Sequence, residues 1–141
     1  MWKRTIGLAV LAITLSALAH ADWVPTGRAK FLPLDTLQAS PGETITLKAR
    51  LQYELKNTQK PREKRWDPLP HAKIEFSAKP LHLQYIGTAT TNNRGTAVMS
   101  YQVPTTVKPG KRFAYRAEFL GRKYQKVWLK KAGASGLIQV R

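Results

Sequence analysis

The sequence predicts an all-β sandwich of about seven strands, and three observations carry that reading. Apolar and polar residues alternate with period two in one stretch after another, and turn residues recur about every ten positions. Beyond the N-terminus no stretch shows the spacing of an amphipathic helix.

Residues 1–21 read as a cleaved secretory signal peptide. Lys3 and Arg4 open it, positions 6–18 form an apolar run too short to span a bilayer, and Ala19-His20-Ala21 is a small-x-small exit ahead of Asp22-Trp23-Val24-Pro25. An anchor kept uncleaved is the other reading of the same residues. An N-terminal segment, 22–35, then leads into the sandwich at 36–131, and 132–141 reads as a flexible C-terminal tail with room for a short strand at 137–140.

Pro41-Gly42 supplies a turn, and from 44 to 55 the alternation is unbroken. Ile45, Leu47, Ala49, Leu51, Tyr53 and Leu55 fall on one face, with Thr44, Thr46, Lys48, Arg50, Gln52 and Glu54 on the other, which describes a strand buried on one side. Ile74 and Phe76 continue the pattern in 72–77, as do Leu81, Leu83 and Tyr85 in 81–91. Asn92-Asn93-Arg94-Gly95 is a hairpin turn, because Asn and Gly accept left-handed backbone cheaply. Ala97, Met99, Tyr101 and Val103 then point inward up to Pro104, followed by Phe113, Tyr115, Ala117 and Phe119 in 112–120.

Gly121-Arg122 turns the chain into a last strand, 123–130, for which two phases are open. Val127 and Leu129 inward leaves Tyr124, Lys126, Trp128 and Lys130 outward beside Arg112 and Arg116; the opposite phase buries Tyr124 and Trp128, as large aromatics usually are. The polar stretch 56–70, with Pro61, Pro68 and Pro70, reads as a long loop.

Ile86-Gly87-Thr88-Ala89-Thr90-Thr91-Asn92, followed by Gly95-Thr96-Ala97 and Tyr101, resembles a segment of bacterial immunoglobulin-like domains. Pro41-Gly42-Glu43-Thr44-Ile45-Thr46-Leu47 is similar to their common opening, and the likeness extends over about 36–129. The resemblance implies an immunoglobulin-like β-sandwich in a bacterial envelope protein. Such sandwiches carry a tyrosine two residues before the second core cysteine, and Tyr115 stands two before Ala117. Ala117 with Ala49 or Leu47 would then occupy the place of the disulfide, and Ile74 or Phe76 that of the core tryptophan. The 56–70 loop and the absence of internal repeats depart from the family's pattern. A transthyretin-like sandwich, which shares the hairpin, is the alternative.

The absence of cysteine excludes a disulfide, a thiol nucleophile and a thiolate metal site. No G-x-S-x-G elbow or glycine-rich phosphate loop is present. His82 alternates with Leu81 and Leu83 and so faces solvent; His71 with Glu75 or Asp67 is the one combination that could do acid–base or metal chemistry. The reading is therefore no enzyme, no metal and no cofactor.

Charge is the stronger signal: 24 Lys and Arg stand against 8 Asp and Glu, for a formal net charge of +16. Strands that run up and down in turn place the 56–70 loop, the 92–95 turn and the 121–122 turn at one end. That end gathers Lys56, Lys60, Arg62, Lys64, Arg65, Arg94, Arg122 and Lys123 around Trp66, against Glu63 and Asp67. Such cations draw phosphate or sulfate and the ring adds a stacking surface, although high net charge also serves as a solubility device. The expectation is an exported binding module, periplasmic or secreted, whose partner is an envelope protein or the anionic groups of a polysaccharide or lipid headgroup. Export argues against nucleic acid. The alternative is an assembly subunit that pairs strands, with 137–140 as the donor.

Overall fold

The structure, a computed structural model, describes residues 22–141 and contains no helix there; the signal-peptide expectation lies outside those residues. Its strands are β1 (Trp23–Phe31), β2 (Leu37–Ala39), β3 (Thr44–Asn57), β4 (Lys64–Pro68), β5 (Lys73–Ala78), β6 (Gln84–Thr90), β7 (Thr96–Gln102), β8 (Arg112–Phe119), β9 (Arg122–Tyr124), β10 (Val127–Leu129) and β11 (Ala132–Val140). The expected all-β sandwich is what forms, with more strands than the sequence suggested.

The unbroken alternation after Pro41-Gly42 makes β3 the spine of one sheet. Its first half pairs with β7, and its second half pairs with β1 along one edge and β4 along the other. The facing sheet runs β2-β11-β8-β5-β6, with β2 parallel to β11 and the remaining pairs antiparallel. With β3 and β7 against β5, β8 and β11, the layout is that of an immunoglobulin-like sandwich.

The core lies between the sheets, where Leu47, Ala49 and Leu51 meet Ile74, Phe76, Ala117, Phe119 and Ile138. Phe76 is the register neighbour of Ala117 and both are fully buried, so a large side chain sits beside a small one. Tyr115 is buried and its hydroxyl donates to the carbonyl of Asp35 at 2.6 Å. The bond ties β8 to the link between β1 and β2, a long-range counterpart of the local tyrosine corner. Burial, helped by the nearby Asp35 carboxylate, pushes the Tyr115 phenol up from 10.0 to about 12.

Several local expectations are corrected. The N-terminal segment 22–35 contains β1, whose register shifts between Pro25 and Ala29; that irregularity breaks the period and hid the strand. The 56–70 loop contains β4, which forms a hairpin with the end of β3. The flexible tail is instead a strand of 9 residues held between β8 and β2. Its glycines read as linker, yet a Cβ at Gly136 would lie 2.6 Å from the Tyr115 ring, so the small residue makes room for the β8 side chain. Ile138 and Val140 are buried, which leaves 137–140 no freedom to act as a donor strand.

Leu81, Leu83 and Tyr85 are exposed: the two leucines precede β6, and the register shift opposite Phe76 and Ser77 sets Ile86 and Ala89, not Tyr85, against the core. The 92–95 turn does not join a paired hairpin: β6 lies in one sheet and β7 pairs with β3 in the other. Neither phase proposed for 123–130 holds throughout. Gln125 and Lys126, with φ of 48° and 66°, make a two-residue turn that puts Tyr124 level with Val127. Tyr124 packs edge-on against Tyr53 at 5.1 Å, Leu129 is fully buried, and Trp128 is 63 % exposed.

Candidate functional site

The outward side of β3 presents Lys48, Arg50, Gln52, Glu54 and Lys56 in alternation with its buried residues. Its neighbours extend that row sideways. Lys30 of β1 lies beside Gln52, Trp66 of β4 beside Glu54, and Lys64 of β4 beside Lys56. The Lys30 Nζ reaches to 4.1 Å from the centre of the Trp66 ring, and the Arg28 guanidinium stands 5.7 Å from the same ring.

Glu54 sits beneath this aromatic-cation layer and is only 5 % exposed. Thr26 Oγ1 donates to its Oε1 at 2.8 Å and Arg28 donates to its Oε2 at 3.2 Å, so the carboxylate is satisfied locally and neutralises little beyond Arg28. Asp35 lies at the rim near Lys48 and Arg50 without an ion pair to either.

Beside β7 the 92–95 turn adds Arg94 to the same face. Gly95 holds that turn with φ of +74°, and a Cβ there would lie 2.5 Å from the Leu51 carbonyl oxygen. The Leu51 amide donates to the Gly95 carbonyl at 2.8 Å, pinning the turn against β3. Lys48, Arg50, Asn92, Arg94, Thr96 and Val98 together line an open cavity of about 440 Å³.

Of the residues singled out from the sequence, Lys56, Lys64, Trp66 and Arg94 join this face. Lys60 and Arg62 lie at the tip of the β3–β4 hairpin, where Lys60 approaches Glu63 at 3.9 Å. Arg65 faces the other way, 4.6 Å from the Trp23 ring, and pairs with Asp67 at 3.2 Å. Arg122 donates to the His71 carbonyl and lies over Tyr124, while Lys123 is opposite Trp128 on the β9–β10 hairpin. Leu51, midway along β3, bonds to Gly95 of the 92–95 turn and to Leu69 at the end of the 56–70 stretch, and Arg122 bonds to His71 just beyond it. The cations of these three segments point to different sides.

Arg28, Lys30, Lys48 and Arg50 were missed as site residues. The outward position of Lys48 and Arg50 was visible in the alternation, whereas the β1 bulge concealed Arg28 and Lys30. On the inner side, burial and the adjacent Tyr124 push the Tyr53 phenol up to about 12.

His71 and Glu75 line a separate cavity of about 360 Å³, but Asp67 stays with Arg65 elsewhere. Among the described residues no group of three or more His, Cys, Asp or Glu side chains could hold a metal ion, and no helix is long and apolar enough to cross a membrane. Comparison with protein-family models finds none that matches the chain, and no curated protein matches it.

Proposed function

We propose that this chain is an exported, non-enzymatic immunoglobulin-like module of a bacterial envelope that engages an anionic polymer through the outward face of β1, β3, β4 and β7. One observation carries the reading. That face gathers Arg28, Lys30, Lys48, Arg50, Lys56, Lys64 and Arg94, while its central acid, Glu54, is buried and already held by Thr26 and Arg28. A row of like charges across neighbouring strands costs folding free energy, so a fold that keeps one is best explained by a counter-charged partner. Trp66 adds a flat surface already dressed with cations, suited to a sugar ring carrying acidic groups.

Retention of the purified protein on immobilised dextran sulfate tests this. Raising salt from 0.15 M to 1 M shortens electrostatic reach from about 8 Å to about 3 Å and should release it. Retention should also drop by more than about 100-fold in the triple variant Lys30→Glu, Lys56→Glu, Lys64→Glu. Salt-independent retention, or an unchanged triple variant, would sink the proposal.

A second reading, an assembly subunit, draws on the edge strand β6. Its residues Gln84–Thr90 carry no charge and no proline, the usual guards of a sheet edge, and Leu81, Leu83 and Tyr85 beside it are exposed. Insertion of a proline at Thr88 would abolish strand capture if this reading holds and leave polyanion retention intact.

A further inference from the structure

We infer that the cavity between β3, β7 and the 92–95 turn is a phosphomonoester site, the place where the basic face distinguishes one kind of anion from another. The inference rests on the polyanion reading above and names the chemical group within it. Lys48 and Arg50 both project outward from β3, with Val98 and Thr96 as their respective register neighbours on β7. Arg94 closes the third side from the turn. Among the described residues none of these three cations is in an ion pair, whereas Arg28, Lys60, Arg65, Arg116 and Arg141 all have carboxylate partners.

The turn is built to hold its position. Asn92 Oδ1 accepts from the amides of Arg94 at 2.9 Å and Thr96 at 3.1 Å. That leaves the Asn92 amide nitrogen, the Thr96 hydroxyl, two guanidinium forks and an ammonium as donors around one space with no acid in its lining. Gly95 is buried against Leu51 and cannot be exchanged for a larger residue without moving Arg94.

Charge and shape select among anions. A phosphomonoester carries nearly two negative charges at neutral pH and three oxygens, enough to meet both forks and the ammonium together. A carboxylate or a phosphodiester offers one charge and two free oxygens and leaves one cation unmatched. Guanidinium forks pair with phosphate in a bidentate way that a point charge does not.

The test uses protein purified after expression of the full chain, titrated with glucose 6-phosphate, glucuronate and glucose. Glucose 6-phosphate should bind at least about tenfold more tightly than glucuronate. Arg94→Gln and Arg50→Gln should each weaken it by about tenfold and abolish its preference over glucuronate. Both replaced side chains are exposed, and an unchanged thermal midpoint confirms that the fold is intact. Flotation with phosphatidylcholine vesicles containing phosphatidic acid, and not with those containing the same fraction of phosphatidylglycerol, would place the phosphomonoester on a lipid; sugar-phosphate binding without flotation places it on a glycan. Equal binding of phosphate and uronate, or unchanged Gln variants, with dextran sulfate retention preserved overturns the phosphomonoester site and leaves the polyanion reading standing. Loss of all retention in the unmodified protein overturns that reading instead.

Discussion

The two sheets of the sandwich carry their charges in opposite ways. On the outward side of the five-stranded sheet, acids and bases are interleaved: Glu75 is level with Glu118, and Arg116 donates to Glu118 at 2.6 Å and to Ser135 at 3.2 Å. On the outward side of β1, β3, β4 and β7, cations stand together and the central carboxylate is sunk beneath Arg28 and Trp66. Solubility would be served by either pattern, because both keep charge in water. Segregation onto one face therefore calls for a separate reason, which the polyanionic partner proposed above would supply.

The sharpest way to break this contrast is to remove the turn that completes the basic face. Gly95→Val forces a branched side chain into a left-handed backbone position and toward the Leu51 carbonyl, and should cost about 3 kcal/mol of stability in urea denaturation. A stability within about 0.5 kcal/mol of the parent would show that the turn can relocate Arg94 freely.

Charge reversal compares the faces directly. Lys30→Glu with Lys56→Glu should weaken dextran sulfate binding by about 100-fold, or about 2.7 kcal/mol, whereas Lys73→Glu with Arg112→Glu on the other sheet should change it by less than about threefold. Equal losses would mean that binding follows net charge and that the segregation has no role.

The buried tyrosines sharpen the comparison of the two sheets from within. Tyr115→Phe removes the bond to Asp35 and should destabilise by about 1 to 2 kcal/mol. Tyr101, on β7, has a buried hydroxyl with no partner among the described residues, so Tyr101→Phe should be neutral or stabilise by about 0.5 kcal/mol. Thermal denaturation of both variants gives the two signs; the same sign for both would break the contrast.

A further contrast appears only at alkaline pH. The phenols of Tyr53 and Tyr115 are raised from 10.0 to about 12, so the folded state favours their neutral forms. Their contribution to stability is complete below pH 10.0 and is lost as pH rises through about 12. Ultraviolet titration should show these two phenolates forming near pH 12 rather than near 10.0.

The strands that were legible in the sequence are those with one wet and one dry face. β3, β5, β7 and β8 each alternate because each lies across the sandwich core. β1, β4 and β11 escaped for three physical reasons: a bulge disrupts the first, the second pairs where its residues are only partly buried or exposed, and the third is rich in small residues that accommodate Arg116 and Tyr115. Site residues followed the same division. The cations of the 56–70 stretch were visible as a cluster, but strand pairing turns Lys56 and Lys64 to one side and Arg65 to the other.

Composition and period two alone determined that this protein is a sheet sandwich with a large excess of positive charge and no cysteine chemistry, since alternation records which side of each strand avoids water. Which cations share a face was decided only by tertiary structure. Register between β1, β3, β4 and β7 brings together residues as distant along the chain as Arg28 and Arg94, and no local pattern encodes a pairing that hydrogen bonds and core packing select across the whole fold.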